Sequence, residues 1–155
     1  MAYQKLQVSR AIDVIASATV NIPNPGALSI SSTTDGASAL KLIDSAGDFI
    51  NKGVKVGDIV YSGSIAAHVT SIDSATQLGV TTAVASGQAY KVFRSTENPN
   101  NGCVLYIGGA GNLEVLTAGG DTIVFTGVLA GTFLPVQVVR VLAASTTATG
   151  IIGLW

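Results

Sequence analysis

The sequence predicts an all-β protein. It is expected to contain a compact β-sandwich or barrel base domain, discontinuous in the chain, with a small β-barrel-like module inserted. Short runs rich in Val, Ile, Thr and aromatic residues alternate with Gly, Asn, Asp and Ser turns, and no sustained helical period interrupts them. Apolar residues make up 48% of the 155-residue chain and charged residues 11%, against a usual charged share of about 25%. Low charge with many Gly and Thr residues is typical of β-rich subunits of large assemblies.

The N-terminal block, residues 1–34, is assigned to the base domain together with residues 98–155. Its first 20 residues mix apolar and polar side chains without a helical period. The run Asn21-Ile-Pro-Asn-Pro-Gly26 imposes a turn, since two prolines so close together end any preceding element. The Ser/Thr-rich residues 29–34 are interpreted as a connection.

The middle block, residues 35–97, holds most of the charged side chains and is predicted to be the inserted, solvent-facing module. Strands are predicted at residues 40–43, 54–61, 66–72, 77–82 and 89–94. Residues 44–53 are predicted to form a short helical turn, with Asp44 as N-cap and Gly53 as its end. Asp44 and Asp48 would then share one helical face, and we interpret them as a cap and a solvated residue rather than half of a cation site.

The final block is nearly free of charge. Residues 98–155 carry only three charged side chains, Glu114, Asp121 and Arg140. Strands are predicted at 103–107, 113–116, 122–128, 134–142 and 151–155, with the glycines of residues 108–112 forming a hairpin turn rather than a phosphate-binding loop. Apolar residues occupy both parities of 122–128, which predicts a strand buried on both faces, one of them against a neighbouring subunit.

Several classes of function are disfavoured by the composition. A net charge of −1 without a basic cluster disfavours nucleic-acid binding. The uncharged stretch between Asp121 and Arg140 is rich in Thr, Gly and Pro and suits strands better than a membrane helix, so no membrane partner is expected. With one histidine, His68, and one cysteine, Cys103, no catalytic, metal or cofactor site is predicted, and the chain is not expected to be an enzyme. The first residues lack the apolar run of a signal peptide, which predicts retention in a cytoplasm.

Three strings in the final block resemble the spike-base proteins of tailed phages and gene-transfer agents. They are residues 105–128, which include Tyr106-Ile-Gly-Gly-Ala-Gly-Asn112, residues 131–141, and Thr146-Thr-Ala-Thr-Gly-Ile151. The resemblance implies a compact β-domain that sits on a capsid and carries a fibre. The middle block, with Gly53-Val-Lys-Val-Gly-Asp-Ile-Val-Tyr61 and Tyr90-Lys-Val-Phe93, is similar to a β-module of marine phage structural proteins.

The sequence therefore predicts a virion structural protein, assembled in the host cytoplasm, that acts as a capsid decoration (cement) or head spike-base protein. The expected partners are copies of itself, as a trimer or pentamer, and the major capsid protein or another virion protein. A tail, neck or fibre-adaptor component is the alternative, as is a host-glycan-binding module that uses Tyr61 and Tyr90. The residues predicted for the core or the oligomer and capsid interface are Phe125, Phe133, Leu134, Val136, Ile151, Leu154 and Trp155.

Overall fold

The computed structural model describes residues 8–155, and they form an all-β protein, as predicted. Two six-stranded antiparallel sheets account for the architecture, and the described residues contain a single 3-10 turn, Pro25–Ala27, but no α-helix. The strands are β1 Ala11–Asp13, β2 Leu28–Thr33, β3 Lys41–Ile43, β4 Ile59–Ser62, β5 Ile65–Ser74, β6 Gln77–Val80, β7 Ala89–Phe93, β8 Cys103–Gly109, β9 Gly111–Thr117, β10 Thr122–Val128, β11 Thr132–Leu142 and β12 Thr149–Leu154.

The chain divides into two compact units. Unit 1 comprises Asn101–Trp155 with the described residues up to Ala18, and unit 2 is Thr19–Asn100. The N-terminal boundary differs from the expected one after residue 34. The Ser/Thr-rich segment is not a connection: it forms β2, which pairs with β7 of unit 2 and places Ile30 in the core with 7% of its surface exposed. The start of the expected base domain, residues 1–7, lies outside the described residues.

The sheet of unit 1 has the strand order β1-β12-β8-β11-β9-β10. β8 and β9 are separated by Ala110 alone, yet they do not pair with each other. β8 pairs with the first half of β11 and β9 with the second half. The predicted hairpin turn at residues 108–112 is therefore wrong, because both flanking strands find their partner in β11, which lies later in the sequence.

Register irregularities interrupt β11 in this sheet. They occur between Leu134 and Val138 and between Val138 and Arg140, and such bulges bend a strand and increase its twist. The core-facing side chains of β8, β9 and β11 are removed from solvent. Those with no exposed surface are Leu105, Ile107, Leu113, Val115, Val138 and Val141.

The sheet of unit 2 has the strand order β2-β7-β4-β5-β6-β3. Its edge strands β2 and β3 are not paired with each other, and one isolated bridge between Gly36 and Ile43 joins the segment after β2 to β3. The described residues thus do not form the closed barrel that the sequence allowed. The strands of unit 2 enclose one apolar core, whose members include Leu42, Phe49, Val60, Leu78 and Val92.

A carboxylate is buried at the edge of this core. Residues 44–53 form turns rather than the predicted helical turn, and Asp44, predicted as its N-cap, is buried with 2% of its surface exposed. Its carboxylate accepts hydrogen bonds from the Tyr90 hydroxyl (2.7 Å) and the Ala46 backbone N–H (2.9 Å). Burial raises the pKa of Asp44, but hydrogen bonds from Ser32, Tyr90 and Ala46 outweigh it, and the net pKa lies below its usual value. Burial, followed by the bond to Asp44, raises the pKa of Tyr90 above its usual value.

We expect Tyr90→Phe to destabilise unit 2 by about 1.5–3 kcal/mol, the range for a hydrogen bond to a charged group. The lowered pKa of Asp44 stabilises the folded state above about pH 4, and this contribution disappears as the pH falls through the folded value. The raised pKa of Tyr90 stabilises it below about pH 10, and this contribution disappears as the pH rises further. The difference in unfolding free energy between the wild type and Tyr90→Phe should therefore be largest between these limits.

Denaturant titrations of both proteins at acid, neutral and alkaline pH measure this difference. Tyr106→Phe, which removes a hydroxyl from a partly exposed ring in unit 1, is the control and should cost less than about 0.5 kcal/mol. A Tyr90→Phe cost that is equal at all three pH values would contradict the assignment of the bond to an ionised Asp44.

Candidate assembly surface

The seven residues predicted for core or interface all lie in unit 1, on β10, β11, β12 and at the C-terminal residue. The structure separates them by exposure. Leu134 and Ile151 are each 7% exposed and belong to the core, whereas Phe133 is 58% exposed. The remaining four are partly buried: Phe125, Val136, Leu154 and Trp155.

Phe133 lies on the sheet face opposite the core. The register places Phe133 opposite Tyr106 of β8, and Tyr106 opposite Ile152 of β12. The Phe133 and Tyr106 rings are tilted against each other, with centroids 5.2 Å apart. Leu154 is two residues beyond Ile152 and points to the same side. These four residues, Phe133, Tyr106, Ile152 and Leu154, form a partly exposed apolar row that we call the outward face.

Trp155 is held in place by contacts within the chain. Its backbone N–H donates to Arg10 O (3.0 Å), and its carbonyl oxygen accepts from Ser9 N–H (2.7 Å). Its ring covers Gly153, where an added Cβ would lie 3.1 Å from two ring atoms. Trp155 therefore closes the end of the core, and Phe133 is the more accessible aromatic anchor.

A second apolar surface lies on β10, where the sequence predicted burial on both faces. In the single chain neither face is buried, and burial of one face against a neighbouring subunit stays a prediction. β10 is the last strand of its sheet, and Ile123 and Val124, which point to opposite faces, are 47% and 39% exposed. Leu129, just beyond the strand, is 72% exposed. None of the three was among the predicted interface residues, although the apolar run on both parities of 122–128 was a visible signal.

The charged side chains of the final block serve local structure. The Arg140 guanidinium donates to Ala18 O (2.9 Å), and the Glu114 carboxylate accepts from Ser145 N–H (3.1 Å). Each positions a segment that runs beside the sheet. Neither charge is part of the outward face, but Glu114 lies opposite Val124 in the β9–β10 pairing, and Asp121 directly precedes β10.

The single histidine and the single cysteine lie in different units. His68 is on β5 of unit 2, while Cys103 is 1% exposed in unit 1 and its thiol donates to Val138 O at 3.4 Å. No group of three metal-ligating side chains occurs among residues 8–155. Within the same residues, no helix has the length and apolar character needed to cross a membrane.

The aromatic residues of unit 2 are buried. Tyr61 is 7% exposed, and Tyr90 and Phe93 are each 2% exposed. Tyr61 and Phe93 meet edge to face, with centroids 6.0 Å apart. A ring that stacks on a sugar must present one face to solvent, so these rings pack the interior of unit 2 and do not form a stacking platform.

Comparisons of the chain with protein-family models, with curated proteins and with solved structures found no match in any of the three.

Proposed function

We propose that this chain is a non-enzymatic structural protein of a phage virion, which self-assembles and docks on the capsid as a decoration or spike-base protein. The observation that carries the proposal is the accessible apolar surface of unit 1, with Phe133 in the outward face and Ile123 and Val124 on β10, in a block that holds only three charged side chains. Unit 1 also contains the strings that resemble spike-base proteins.

Burial of apolar area is the driving force available to such a surface, at about 25 cal/mol per Å² removed from water. Phe133, which is 58% exposed, is the largest accessible apolar side chain of this surface and is the expected anchor, since a few side chains carry most of the binding energy of an interface. Unit 2 also exposes four large apolar side chains, Leu28, Leu40, Ile50 and Val56, but it holds most of the charged residues as well. It carries ion pairs between exposed residues, Lys41 with Asp73 at 2.5 Å and Lys55 with Glu97, and these keep a surface solvated.

The ion pairs of unit 2 are not an argument for stability. The pKa of Asp73 is lowered to about 2, first by its hydrogen bond from Lys41 and then by those from Gln77 and Ser71. The pKa of Glu97 is lowered by Lys55. Exposed pairs of this kind contribute little to folding, because water and salt screen them. The ion pairs instead keep the surface of unit 2 hydrated, and unit 2 is the part of the protein that stays outside the contact with the capsid.

The test is the location of the protein in intact particles. Gold-labelled antibody against unit 2 is expected to decorate the head shell in electron micrographs. Label restricted to the tail or neck would replace the capsid role with that of a tail or fibre-adaptor component. Protein that is abundant in infected cells but missing from purified particles would contradict a virion role altogether.

We expect Phe133→Ser to weaken docking on particles that lack the protein by about tenfold or more, because it truncates the aromatic anchor. Ile50→Ser is the matched control: Ile50 is 60% exposed but belongs to unit 2, and its substitution should leave docking unchanged. Co-sedimentation of each purified variant with the particles gives the dissociation constants. Equal effects of the two substitutions would contradict docking through the outward face.

A further inference from the structure

The two edges of the unit 1 sheet differ in how they are protected. At one edge, β1 is three residues long, ends in the charged Asp13 and follows Arg10. At the other edge, β10 spans seven residues without a charge or a proline. Short strands, charges and prolines are the usual devices that stop sheet edges from pairing with other chains. β1 has such protection along its whole length, whereas β10 has only the flanking Asp121 and a bulge beyond Phe125, which leaves residues 122–125 unprotected.

The hairpin geometry identifies the backbone groups that β10 offers. Thr117 N–H donates to Asp121 O at 2.9 Å, so this pair is hydrogen-bonded. Because hydrogen-bonded and non-hydrogen-bonded pairs alternate along an antiparallel ladder, Ile123 and Phe125 direct their backbone groups to β9. The N–H and C=O groups of Thr122 and Val124 therefore point away from the sheet. No hydrogen-bond partner for them is found within residues 8–155.

The side chains of β10 are complementary to those of a second β10 in antiparallel orientation. A two-fold axis at Val124 places Val124 opposite Val124 of the second copy, Ile123 opposite Phe125, and Thr122 opposite Thr126. Pairs of β-branched residues, of an aromatic with a β-branched residue, and of two threonines are all favourable cross-strand neighbours.

The same register avoids charge conflict and matches the strand's geometry. Asp121 lies opposite Gly127 of the second copy rather than opposite another carboxylate. A register shift between Phe125 and Val128, with Gly127 at φ 63°, ends the regular part of β10. The pairing thus uses residues 122–126, in which the outward backbone groups alternate regularly.

We propose that two copies of this chain associate by antiparallel pairing of their β10 strands about a two-fold axis at Val124. The inference rests on the proposed assembly role and names the partner at one of its surfaces, a second copy. Two-fold pairing gives a dimer, or joins rings in pairs, and does not by itself give the trimer or pentamer expected from the sequence.

Disulfide trapping tests the register. In the proposed dimer the two Val124 residues are direct neighbours, with Cα atoms about 5.5 Å apart, within the range that a disulfide bridges. Thr122 and its counterpart are offset by four positions, roughly 14 Å, which is too far. Oxidation should therefore cross-link Val124→Cys and not the matched control Thr122→Cys. The native Cys103 is 1% exposed and should not interfere. Cross-linking of Thr122→Cys alone, or of neither variant, would overturn the proposal.

Sedimentation equilibrium of the full-length chain tests the contact without a cross-link. Val124→Pro removes an N–H that makes no hydrogen bond within residues 8–155, and it should raise the dimer dissociation constant at least about tenfold. Val124→Thr keeps the N–H and a β-branched side chain, so it should dimerise like the wild type. Circular dichroism checks that both variants fold, and the Val124→Cys result stands whether or not the proline variant does.

The outcomes separate this inference from the proposed function. If the wild type is monomeric, or if Val124→Pro dimerises normally, the β10 pairing is wrong, while gold labelling of particles still decides the virion role. Loss of docking on particles by Val124→Pro with no wild-type dimer would assign the edge to a strand of another protein and contradict pairing with a second copy. A dimer trapped at Val124 in a protein missing from purified particles would support the pairing and contradict the virion role.

Discussion

Deletion of residues 150–155 is expected to unfold unit 1 and to leave unit 2 folded. These residues form most of β12, which lies between β1 and β8 in the sheet. Without β12, β1 has no partner and β8 loses its pairing from Val104 to Ile107. The core loses the buried Ile151 and the Trp155 ring that closes its end. The free energy lost with an interior strand exceeds the net stability of a domain, which is about 5–15 kcal/mol.

Unit 2 should survive because it is continuous in sequence, from Thr19 to Asn100, and has its own core. Two-dimensional NMR of the truncated chain should show dispersed signals for unit 2 and collapsed signals for unit 1. Leu154→Ala is the control, since it keeps the strand backbone and removes one partly exposed side chain. A truncated chain that retains dispersed unit 1 signals would contradict the interior position of β12.

An assembly assay on the same deletion would therefore report loss of folding in unit 1 and not only loss of a contact. From sequence alone, loss of oligomers on truncation would be attributed to a lost interface at Trp155. In the structure the same result follows from loss of the folded unit. Substitutions at Phe133 and Val124, which are exposed, are the ones that separate assembly from folding.

Local sequence signals predicted the strands well wherever an apolar run was flanked by turn residues. β10 has the predicted limits, Thr122–Val128, because the Gly119-Gly-Asp121 turn precedes it and a bulge at Gly127 ends it. β2 was missed because Ser and Thr dominate Leu28–Thr33 and only Ile30 is buried there. A strand with one core side chain has no alternation strong enough to separate it from a loop.

The position of a strand within a sheet could not be predicted in this way. The apolar run of β10 has the composition of a central strand, yet its place at the edge depends on β9 pairing with β11, whose paired residues lie about 20 to 30 positions further along the chain. For the same reason Leu134 and Phe133 were predicted as equivalent, although the first faces the core and the second faces solvent. Register decides which neighbour is buried, and it is set by distant partners.

The glycines of residues 108–111 are required by close contacts with residues 147–150, which lie far away in sequence. A Cβ on Gly111 would lie 2.5 Å from Ala148 N and 2.6 Å from Thr147 C, both backbone atoms. That segment cannot retreat easily, because the N–H groups of Thr147 and Ala148 both donate to Asn112 O, at 2.8 and 3.0 Å. Asn112 N–H donates in turn to the Thr147 hydroxyl at 2.8 Å. Glycine is required here by close packing of backbone against backbone.

We therefore expect Gly111→Ala to lower the unfolding free energy of unit 1 by about 2–4 kcal/mol, from overpacking plus weakened hydrogen bonds to Asn112. Gly119→Ala is the matched control. The nearest atoms to a Cβ there are side-chain oxygens at 3.6 and 3.7 Å, and the change should stay within about 0.5 kcal/mol. Urea titration of both variants gives the two values. Equal stabilities would mean that residues 147–148 move aside at no cost, and that the hydrogen bonds to Asn112 do not hold them against β9.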